Sequence, residues 1–199
     1  MHKKGNKIDP CNYSCISISS NLGKVFNRLI HTRLLQFIEE SKIISKNKIG
    51  FMEKGRTADH IFSLKSIIDS YKQKKKKVYA AFIDLRKAYD SLWRTGLFYI
   101  LLERGLSKKI VNVIYSIYAD TKSRIKFSDG VSKSFLSKRG VKQSDVLSPM
   151  LFNIFINNIV EKLVMWIQFW LVTSLSIVYY YADDLILLAS SPCGLQTFS

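Results

Sequence analysis

The sequence contains little cysteine, and this scarcity narrows the class of protein. Cys11, Cys15 and Cys193 form an odd set with no paired spacing, which argues against the disulfide framework of a small secreted protein. No histidine or second cysteine pair lies close to Cys11 and Cys15, so a zinc site is not expected. We therefore expect a reducing, intracellular environment, without distinguishing nucleus from cytoplasm.

Acidic residues and targeting features are also scarce. The basic N-terminus is not followed by the apolar segment of a signal peptide, and there is no repeat and no low-complexity linker. Only 15 Asp and Glu stand against 31 Lys and Arg, which gives a formal net charge of +16. Because 47% of the residues are hydrophobic, the chain can bury a core. A foldable chain with this surplus indicates a polyanionic partner, and nucleic acid is favoured over an anionic membrane.

One long run lacks charge altogether. Residues 163–182 qualify by length as a membrane-spanning candidate. The run leads directly into two adjacent carboxylates, Asp183 and Asp184, which a membrane helix would leave at an interface and detached from Asp84. A membrane-anchored basic protein is therefore the least favoured interpretation, and no membrane partner is expected.

Hydrophobic periodicity predicts a mixed α+β chain. Helices are expected over 21–40, from Thr57 to the lysine run 72–77, over 87–104 and 108–119, and from Ser148 onward. Ser20 or Asn21 is expected to cap the first helix, Gly105 to form a break, and Ser107 to cap the helix 108–119. The apolar residues that follow the helical period in the first helix are Leu22, Val25, Phe26, Leu29, Ile30, Leu34, Phe37 and Ile38. Strands are expected over 78–84, on both sides of the Asp129-Gly130 turn within 124–135, and over 177–182 and 185–190.

The carboxylates at the strand ends are the candidate catalytic groups. Successive side chains of a strand point to opposite faces, so Asp183 and Asp184 cannot share a site within one continuous strand. A tight turn at this pair would present Asp183, with or without Asp184, at the sheet edge. Asp84 also ends an apolar strand. Together these groups would form an oxygen-rich pocket suited to Mg²⁺, which in a basic chain favours phosphoryl transfer on nucleic acid.

Three segments resemble the ordered palm motifs of a reverse transcriptase, in the style of non-LTR (LINE-type) retrotransposons and their group II intron relatives. They are Phe82-Ile-Asp-Leu-Arg-Lys-Ala-Tyr-Asp90, Arg139-Gly-Val-Lys-Gln-Ser-Asp-Val-Leu-Ser-Pro-Met-Leu-Phe-Asn153 and Tyr181-Ala-Asp-Asp184. Shorter segments resemble that family's finger region: Asn12-Tyr13, Ile16-Ser17, Leu22–Phe26, Gly50-Phe51, Arg56-Thr57 and Asp59.

The resemblance implies a right-hand polymerase fold. Residues 1–77 would form a fingers-like region, and residues 78–199 would form a palm-like region whose antiparallel sheet is packed with helices. Because the chain stops at Ser199, shortly after the last motif, we expect the thumb to be absent and the chain to extend a primer little or not at all.

The resemblance also implies an activity, that of an RNA-directed DNA polymerase. A DNA primer 3′-hydroxyl would attack the α-phosphate of a deoxynucleoside triphosphate on an RNA template, with two Mg²⁺ ions or with Mn²⁺ in their place. Asp84 and Asp183 would be the principal catalytic metal ligands, with Asp184 beside them.

Five further residues acquire implied roles. Tyr89 matches the aromatic steric gate under the sugar, although without the family it reads equally as a half-buried aromatic residue at a helix start. Gln143 matches a glutamine near the incoming nucleotide. Arg56 matches a finger arginine that could hold triphosphate oxygens, or else is an ordinary exposed arginine near a helix N-terminus. Lys142 and Arg139 would contact nucleic acid.

Two departures from the family keep an alternative open. Ser144 stands where the family usually has glycine, and residues 164–180 replace a polar, glycine-containing hairpin. Back-translation of this apolar segment in the neighbouring frame is compatible with family-like polar sequence, so we hypothesise compensating frameshifts near Leu163 and Tyr180. Asp90 and Asp145 are interpreted as local capping or loop residues. The alternative function is an inactive retroelement remnant that only binds RNA through its basic surface.

Overall fold

The structure is a computed structural model that describes residues 5–6, 9, 12–13, 16–41, 57–85, 87–127, 130–170, 177–181 and 184–192. The chain divides into two compact units. The first comprises Met1–Ser41 and Lys87–Phe152, and the second comprises Lys42–Arg86 and Asn153–Ser199. The predicted division into a fingers-like region 1–77 and a palm-like region 78–199 stays a prediction.

Six helices lie in the described ranges. They are α1 (Asn21–Ser41), α2 (Thr57–Gln73), α3 (Ala88–Ser91), α4 (Arg94–Glu103), α5 (Lys108–Ala119) and α6 (Ser148–Trp170). The predicted helix starts at Thr57 and Ser148 are confirmed. Helix α6 continues through residues 164–170, the first part of the segment assigned to frameshifting, whereas residues 171–176 lie outside the described ranges. None of the described helices combines the length and apolar character needed to cross a membrane.

The strands form three antiparallel sheets. The strands are β1 (Tyr79–Asp84), β2 (Lys122–Ser123), β3 (Lys126–Phe127), β4 (Gly130–Val131), β5 (Phe135–Leu136), β6 (Ile177–Tyr181) and β7 (Asp184–Ala189). Strands β1, β7 and β6 form a three-stranded sheet in that order, β3 pairs with β4, and β2 pairs with β5. Both predicted hairpins are confirmed, and the predicted α+β class is confirmed with them.

Helix α1 begins as its sequence predicts, but it buries only part of the apolar surface that its periodicity indicates. Ser20 caps the helix, because its hydroxyl accepts a hydrogen bond from the backbone N–H of Gly23 at 3.1 Å. The buried line is Asn27, Ile30, Leu34 and Ile38, whereas Leu22, Val25, Phe26 and Leu29 are exposed. The helix carries apolar residues on two sides, so periodicity alone could not select the buried one.

The predicted helix 87–104 is wrong in one respect, because it is interrupted at Leu92 and Trp93. Trp93 adopts an extended backbone with φ −79° and ψ 101°, and α4 starts at the next residue. The Trp93 ring lies against Gly96, where a β-carbon would come within 2.3 Å of it. The other two predictions nearby hold. Gly105 ends α4 with φ +88°, as expected for a glycine C-cap, and the Ser107 hydroxyl caps α5.

The first unit has a core of apolar side chains from several elements, and α4 packs against α5 within it. Its fully buried members include Leu34, Leu97, Leu101, Ile114, Tyr118, Leu147 and Leu151. In the second unit the buried positions include Leu185, Leu187, Leu188 and Ala189 on β7 and Ile154, Ile156 and Val160 on α6.

Candidate active site

The β1–β7 pairing brings two of the three predicted catalytic carboxylates together. Asp84, the last residue of β1, is the register partner of Asp184, the first residue of β7. Residues directly opposite each other in antiparallel strands carry their side chains on the same face, about 5 Å apart at their β-carbons. Both aspartates are exposed. Like charges placed in this way destabilise a strand pair, so the arrangement needs a reason other than stability.

These carboxylates suit a divalent cation. Asp84 and Asp184 offer hard oxygen donors on one sheet face at the strand end, which is the ligand type that Mg²⁺ and Mn²⁺ take. Asp183 immediately precedes Asp184 in the sequence and lies outside the described residues. Within the described ranges, no cluster of three or more Asp, Glu, His or Cys residues is assembled for a metal ion. Asp183 is the residue that would complete such a cluster.

The sheet with the carboxylates belongs to the second unit, whereas Tyr89, Gln143, Lys142 and Arg139 belong to the first. The Tyr89 side chain is half-buried, and its ring stacks on Phe152 with the centroids 4.9 Å apart and the planes 17° from parallel. A stacked ring loses rotamer freedom, so the orientation of Tyr89 is fixed by packing.

The backbone of Tyr89 is joined to the segment that leads to Gln143. The N–H of Val141 donates to the Tyr89 carbonyl at 2.8 Å, and the N–H of Gly140 donates to the Leu92 carbonyl at 2.9 Å. Gly140 has φ +77°, and a β-carbon there would lie 2.6 Å from the Asp90 carbonyl oxygen and 2.7 Å from that of Tyr89. Only glycine fits this close approach. Two of the predicted nucleotide-binding residues therefore lie on backbone segments that are bonded to each other.

The segment around Gln143 is also tied to the N-terminal part of the chain. The N–H of Ser17 donates to the Gln143 carbonyl at 3.1 Å. Two residues further on, the Asp145 carboxylate accepts a hydrogen bond from the Asn27 side-chain amide at 2.8 Å. Asn27 and Asp145 are both buried. Asp145 is thus a loop residue, as predicted, but its partner lies on α1 rather than locally.

Ser144, where the family usually has glycine, adopts a left-handed backbone with φ 71°. A serine in this conformation strains the backbone. An L-residue in this region is disfavoured by about 1–2 kcal/mol. Strain of this size persists only where the surroundings determine the conformation, and the hydrogen bonds of Gln143 and Asp145 on either side do so.

Lys142 and Arg139, the predicted nucleic-acid contacts, have different environments. The Arg139 side chain is exposed. Lys142 is half-buried, and its ammonium nitrogen lies 5.7 Å from the centroid of the Tyr118 ring. Burial raises the pKa of Tyr118 to about 12, although hydrogen bonds from the Ser148 hydroxyl and the Lys142 backbone partly oppose this shift. The Tyr118 hydroxyl lies 3.2 Å from that of Ser148.

Sequence reasoning missed Arg94, the first residue of α4. It is only 8% exposed, and its guanidinium donates hydrogen bonds to the carbonyls of Tyr118, Ser137, Arg139 and Gly140. Burial lowers the pKa of this guanidinium, and Tyr118 partly opposes the shift, but an arginine stays charged at neutral pH. A signal existed in the sequence, since Arg94 is the one charged residue between Asp90 and Glu103.

Two predicted site residues, Asp183 and Arg56, lie outside the described residues, and their roles stay predictions. Asp90, which was interpreted as a local residue, is exposed within α3, and its backbone N–H bonds the Lys87 carbonyl. The structure thus brings Asp84 to Asp184 in one unit, and the Tyr89 backbone to the segment before Gln143 in the other.

An antiparallel sheet that presents opposed carboxylates, within an α+β chain, is compatible with the palm of a nucleotidyltransferase. The family described as reverse transcriptase (RNA-dependent DNA polymerase) matches residues 1–198. The chain belongs to this family, and the resemblance inferred from the motifs is confirmed. Its relatives are RNA-directed DNA polymerases of non-LTR retrotransposons, a family that generally uses divalent metals.

The relatives are similar over nearly the whole chain. It is 28% identical over 194 residues to the retrovirus-related Pol polyprotein from type-1 retrotransposable element R2 of Nasonia vitripennis, covering 98% of this chain and 18% of that protein. It is 28% identical over 206 residues to the probable RNA-directed DNA polymerase from transposon BS of Drosophila melanogaster, covering 100% of this chain and 22% of that protein. The chain therefore spans about a fifth of the length of these curated relatives.

Solved structures of telomerase share the fold. The telomerase of Candida albicans, solved with a fragment of telomeric RNA, superposes with a TM-score of 0.64 at 15% identity, covering 86% of this chain and 31% of that one. The truncated apo telomerase of Candida tropicalis gives a TM-score of 0.63 at 20% identity, covering 86% of this chain and 35% of that one. The predicted reverse-transcriptase-like fold is confirmed.

Proposed function

We propose that this chain carries the nucleotidyl-transfer site of an RNA-directed DNA polymerase from a non-LTR retroelement. The observation that carries the proposal is the register of β1 against β7, which sets Asp84 opposite Asp184 at the strand end. Family membership over residues 1–198 supports the same activity. An opposed carboxylate pair destabilises a sheet, so its presence is explained by a function rather than by folding.

Asp84, Asp184 and the neighbouring Asp183 would hold two Mg²⁺ ions or Mn²⁺. Bound divalent cations supply charge stabilisation to the attacking and leaving oxygens of a phosphoryl transfer. The carboxylates themselves hold negative charge at a fixed place on the sheet, so the position of the metal site follows from the strand register. The RNA template, the DNA primer and the deoxynucleoside triphosphate are the substrates that this reaction requires.

The predicted nucleotide-binding residues would bind and orient the nucleotide. The Tyr89 ring, held against Phe152, would lie beneath the sugar and exclude a 2′-hydroxyl by steric contact. Gln143 would lie near the incoming nucleotide, and Arg56 would hold triphosphate oxygens through its guanidinium. Arg139 and Lys142 would contact the nucleic-acid backbone. The net charge of +16 favours binding of an RNA template, and a telomerase of similar fold has been solved with RNA.

Primer extension on an RNA template tests the proposal. The chain should extend a DNA primer with Mg²⁺. Asp84→Asn should lower the rate at least about 100-fold, because loss of even a residue that only supports a metal ligand lowers metal affinity or activity about 10–100-fold. Asp120→Asn, which changes an exposed carboxylate at the end of α5, is the matched control and should retain the rate.

Two results would contradict the proposal. If the chain and Asp84→Asn extend the primer equally, the carboxylate pair is not the catalytic site. If neither extends it while both bind RNA, the chain is the inactive remnant, an alternative that the strained Ser144 backbone favours. RNA binding alone does not separate these functions, because a basic surface binds RNA without specificity.

A further inference from the structure

The buried guanidinium of Arg94 is unusual in its location and in its partners. Arg94 begins α4, where the positive end of the helix dipole disfavours a cation, and burying a charge adds a desolvation penalty. Each acceptor of its hydrogen bonds is an uncharged oxygen: four backbone carbonyls and the Ser137 hydroxyl. A cation at this place is therefore retained for the geometry of its five donors.

These acceptors are concentrated on one segment. Nε donates to the Gly140 carbonyl at 2.7 Å, while the two terminal nitrogens reach the Ser137 carbonyl at 2.5 Å and the Arg139 carbonyl at 3.0 Å. One terminal nitrogen also reaches the Tyr118 carbonyl, at the end of α5, at 2.8 Å. The planar fork of a single side chain thus joins the segment Ser137–Gly140 to the helix α5.

The same segment is bonded on its other side to residues 89–92, the end of the one-turn helix α3 and the residue after it, hereafter the Tyr89 turn. The Gly140 and Val141 N–H groups donate to the carbonyls of Leu92 and Tyr89, so the Arg94 acceptors are one residue from the Tyr89 backbone contact. Gln143 follows two residues later. Gly140, whose carbonyl accepts from Arg94, is therefore three residues before Gln143 in the chain.

We propose that Arg94 is a positioning residue that holds the segment 137–143, and with it Gln143, in register with the Tyr89 turn. This inference rests on the proposed nucleotide-binding roles of Tyr89 and Gln143. Arg94 does not touch the substrate in this account. It sets the distance and orientation of two groups that do, through backbone hydrogen bonds rather than through its charge.

The test compares Arg94→Met and Arg94→Lys with Arg33→Met, which changes an exposed arginine of α1. Amide hydrogen exchange of the full chain should show at least about tenfold faster exchange over residues 137–143 in Arg94→Met, with α5 residues 108–117 changed much less. Arg94→Lys should resemble Arg94→Met, because one ammonium cannot reach the same row of carbonyls. Arg33→Met should match the unchanged chain.

Two further readouts separate positioning from a general structural role. Ethylguanidinium added to Arg94→Ala should restore protection of residues 137–143, and it should have no effect on Arg33→Ala. In primer extension, Arg94→Lys should raise the KM for the deoxynucleotide about tenfold, with a smaller change in kcat.

Uniform loss of protection across α4, α5 and the segment, or no local loss in Arg94→Met, would overturn the inference. An unchanged KM in an active Arg94→Lys chain would also overturn it. If the unchanged chain extends no primer, the proposed function fails, whereas the exchange and rescue measurements still decide whether Arg94 positions the segment.

Discussion

The close approach of Gly140 to the Tyr89 turn leads to a quantitative prediction for Gly140→Ala. A β-carbon at this position would lie 2.6 Å from one backbone carbonyl oxygen and 2.7 Å from another. The left-handed φ of +77° adds about 1–2 kcal/mol for any L side chain. Relief of the contact requires backbone movement, which costs about 1–3 kcal/mol by analogy with overpacking.

The same structure provides a matched control. Gly105 has a similar φ of +88°, but a β-carbon there would meet no atom within 4 Å. Gly105→Ala therefore reports the conformational strain without a steric contact. The strain is partly offset, by about 0.4–1 kcal/mol, because alanine makes the unfolded chain less flexible. We expect Gly105→Ala to lower the free energy of unfolding by about 1 kcal/mol and Gly140→Ala to lower it by about 2–4 kcal/mol.

Urea denaturation of the full chain, followed by circular dichroism, measures both free energies of unfolding. The difference between the two variants isolates the contact with the Tyr89 and Asp90 carbonyls. If Gly140→Ala is no more destabilised than Gly105→Ala, the close packing of the segment against the Tyr89 turn is refuted, and with it the geometric basis for positioning by Arg94.

Three further predictions concern the same unit. Ser144→Gly should leave the free energy of unfolding unchanged or raise it by up to about 1 kcal/mol, because the relief of backbone strain offsets the greater entropy of the unfolded chain. A clear decrease in the free energy of unfolding, measured by urea denaturation, would contradict the φ of 71°. A double-mutant cycle of Asn27→Ala and Asp145→Ala should give a coupling free energy of about 1.5–3 kcal/mol, as expected for a hydrogen bond to a charged group. If the two substitutions lower the free energy of unfolding additively, this hydrogen bond is excluded. The pKa of the Tyr118 hydroxyl is raised to about 12, so burial of this neutral hydroxyl contributes fully to stability below pH 10. The contribution is lost as the pH rises through 12, and the free energy of unfolding should then fall by about 2–3 kcal/mol. Tyr118→Phe should lose correspondingly less stability over this pH range, and equal pH profiles would be inconsistent with the shift.

The elements that the sequence predicts well are those with strong local signals. The expected caps are present at Ser20, Ser107 and Gly105. The helices predicted to begin at Thr57 and Ser148 also begin there. The hairpin at the adjacent aspartates was predictable, because alternation of side chains prevents both carboxylates from facing one site within a continuous strand and a tight turn resolves this.

The buried polar contacts could not be predicted, because each joins residues far apart in sequence. Nothing in the sequence around Asn27 indicates a partner at Asp145, 118 residues away. Likewise, the carbonyls that Arg94 binds have no sequence signature, since every residue carries one. The choice of the buried face of α1 depends on such contacts, which explains why periodicity selected too many apolar residues.

The frameshift origin of residues 164–180 stays a hypothesis, and the sequence of the coding DNA would test it. Helix formation as far as Trp170 requires only that the run lack a breaker such as proline or glycine, so it does not bear on the reading frame. Bases that fail to encode a polar, glycine-containing peptide in the neighbouring frame would exclude the proposed frameshifts.

The central claim is that the β1–β7 register creates a divalent metal site, and a Mn²⁺ titration followed by electron paramagnetic resonance tests it most directly. We expect the unchanged chain and Asp120→Asn to bind Mn²⁺ alike, and Asp84→Asn and Asp184→Asn each to weaken binding at least about tenfold. Equal Mn²⁺ affinity in all four proteins would contradict the account.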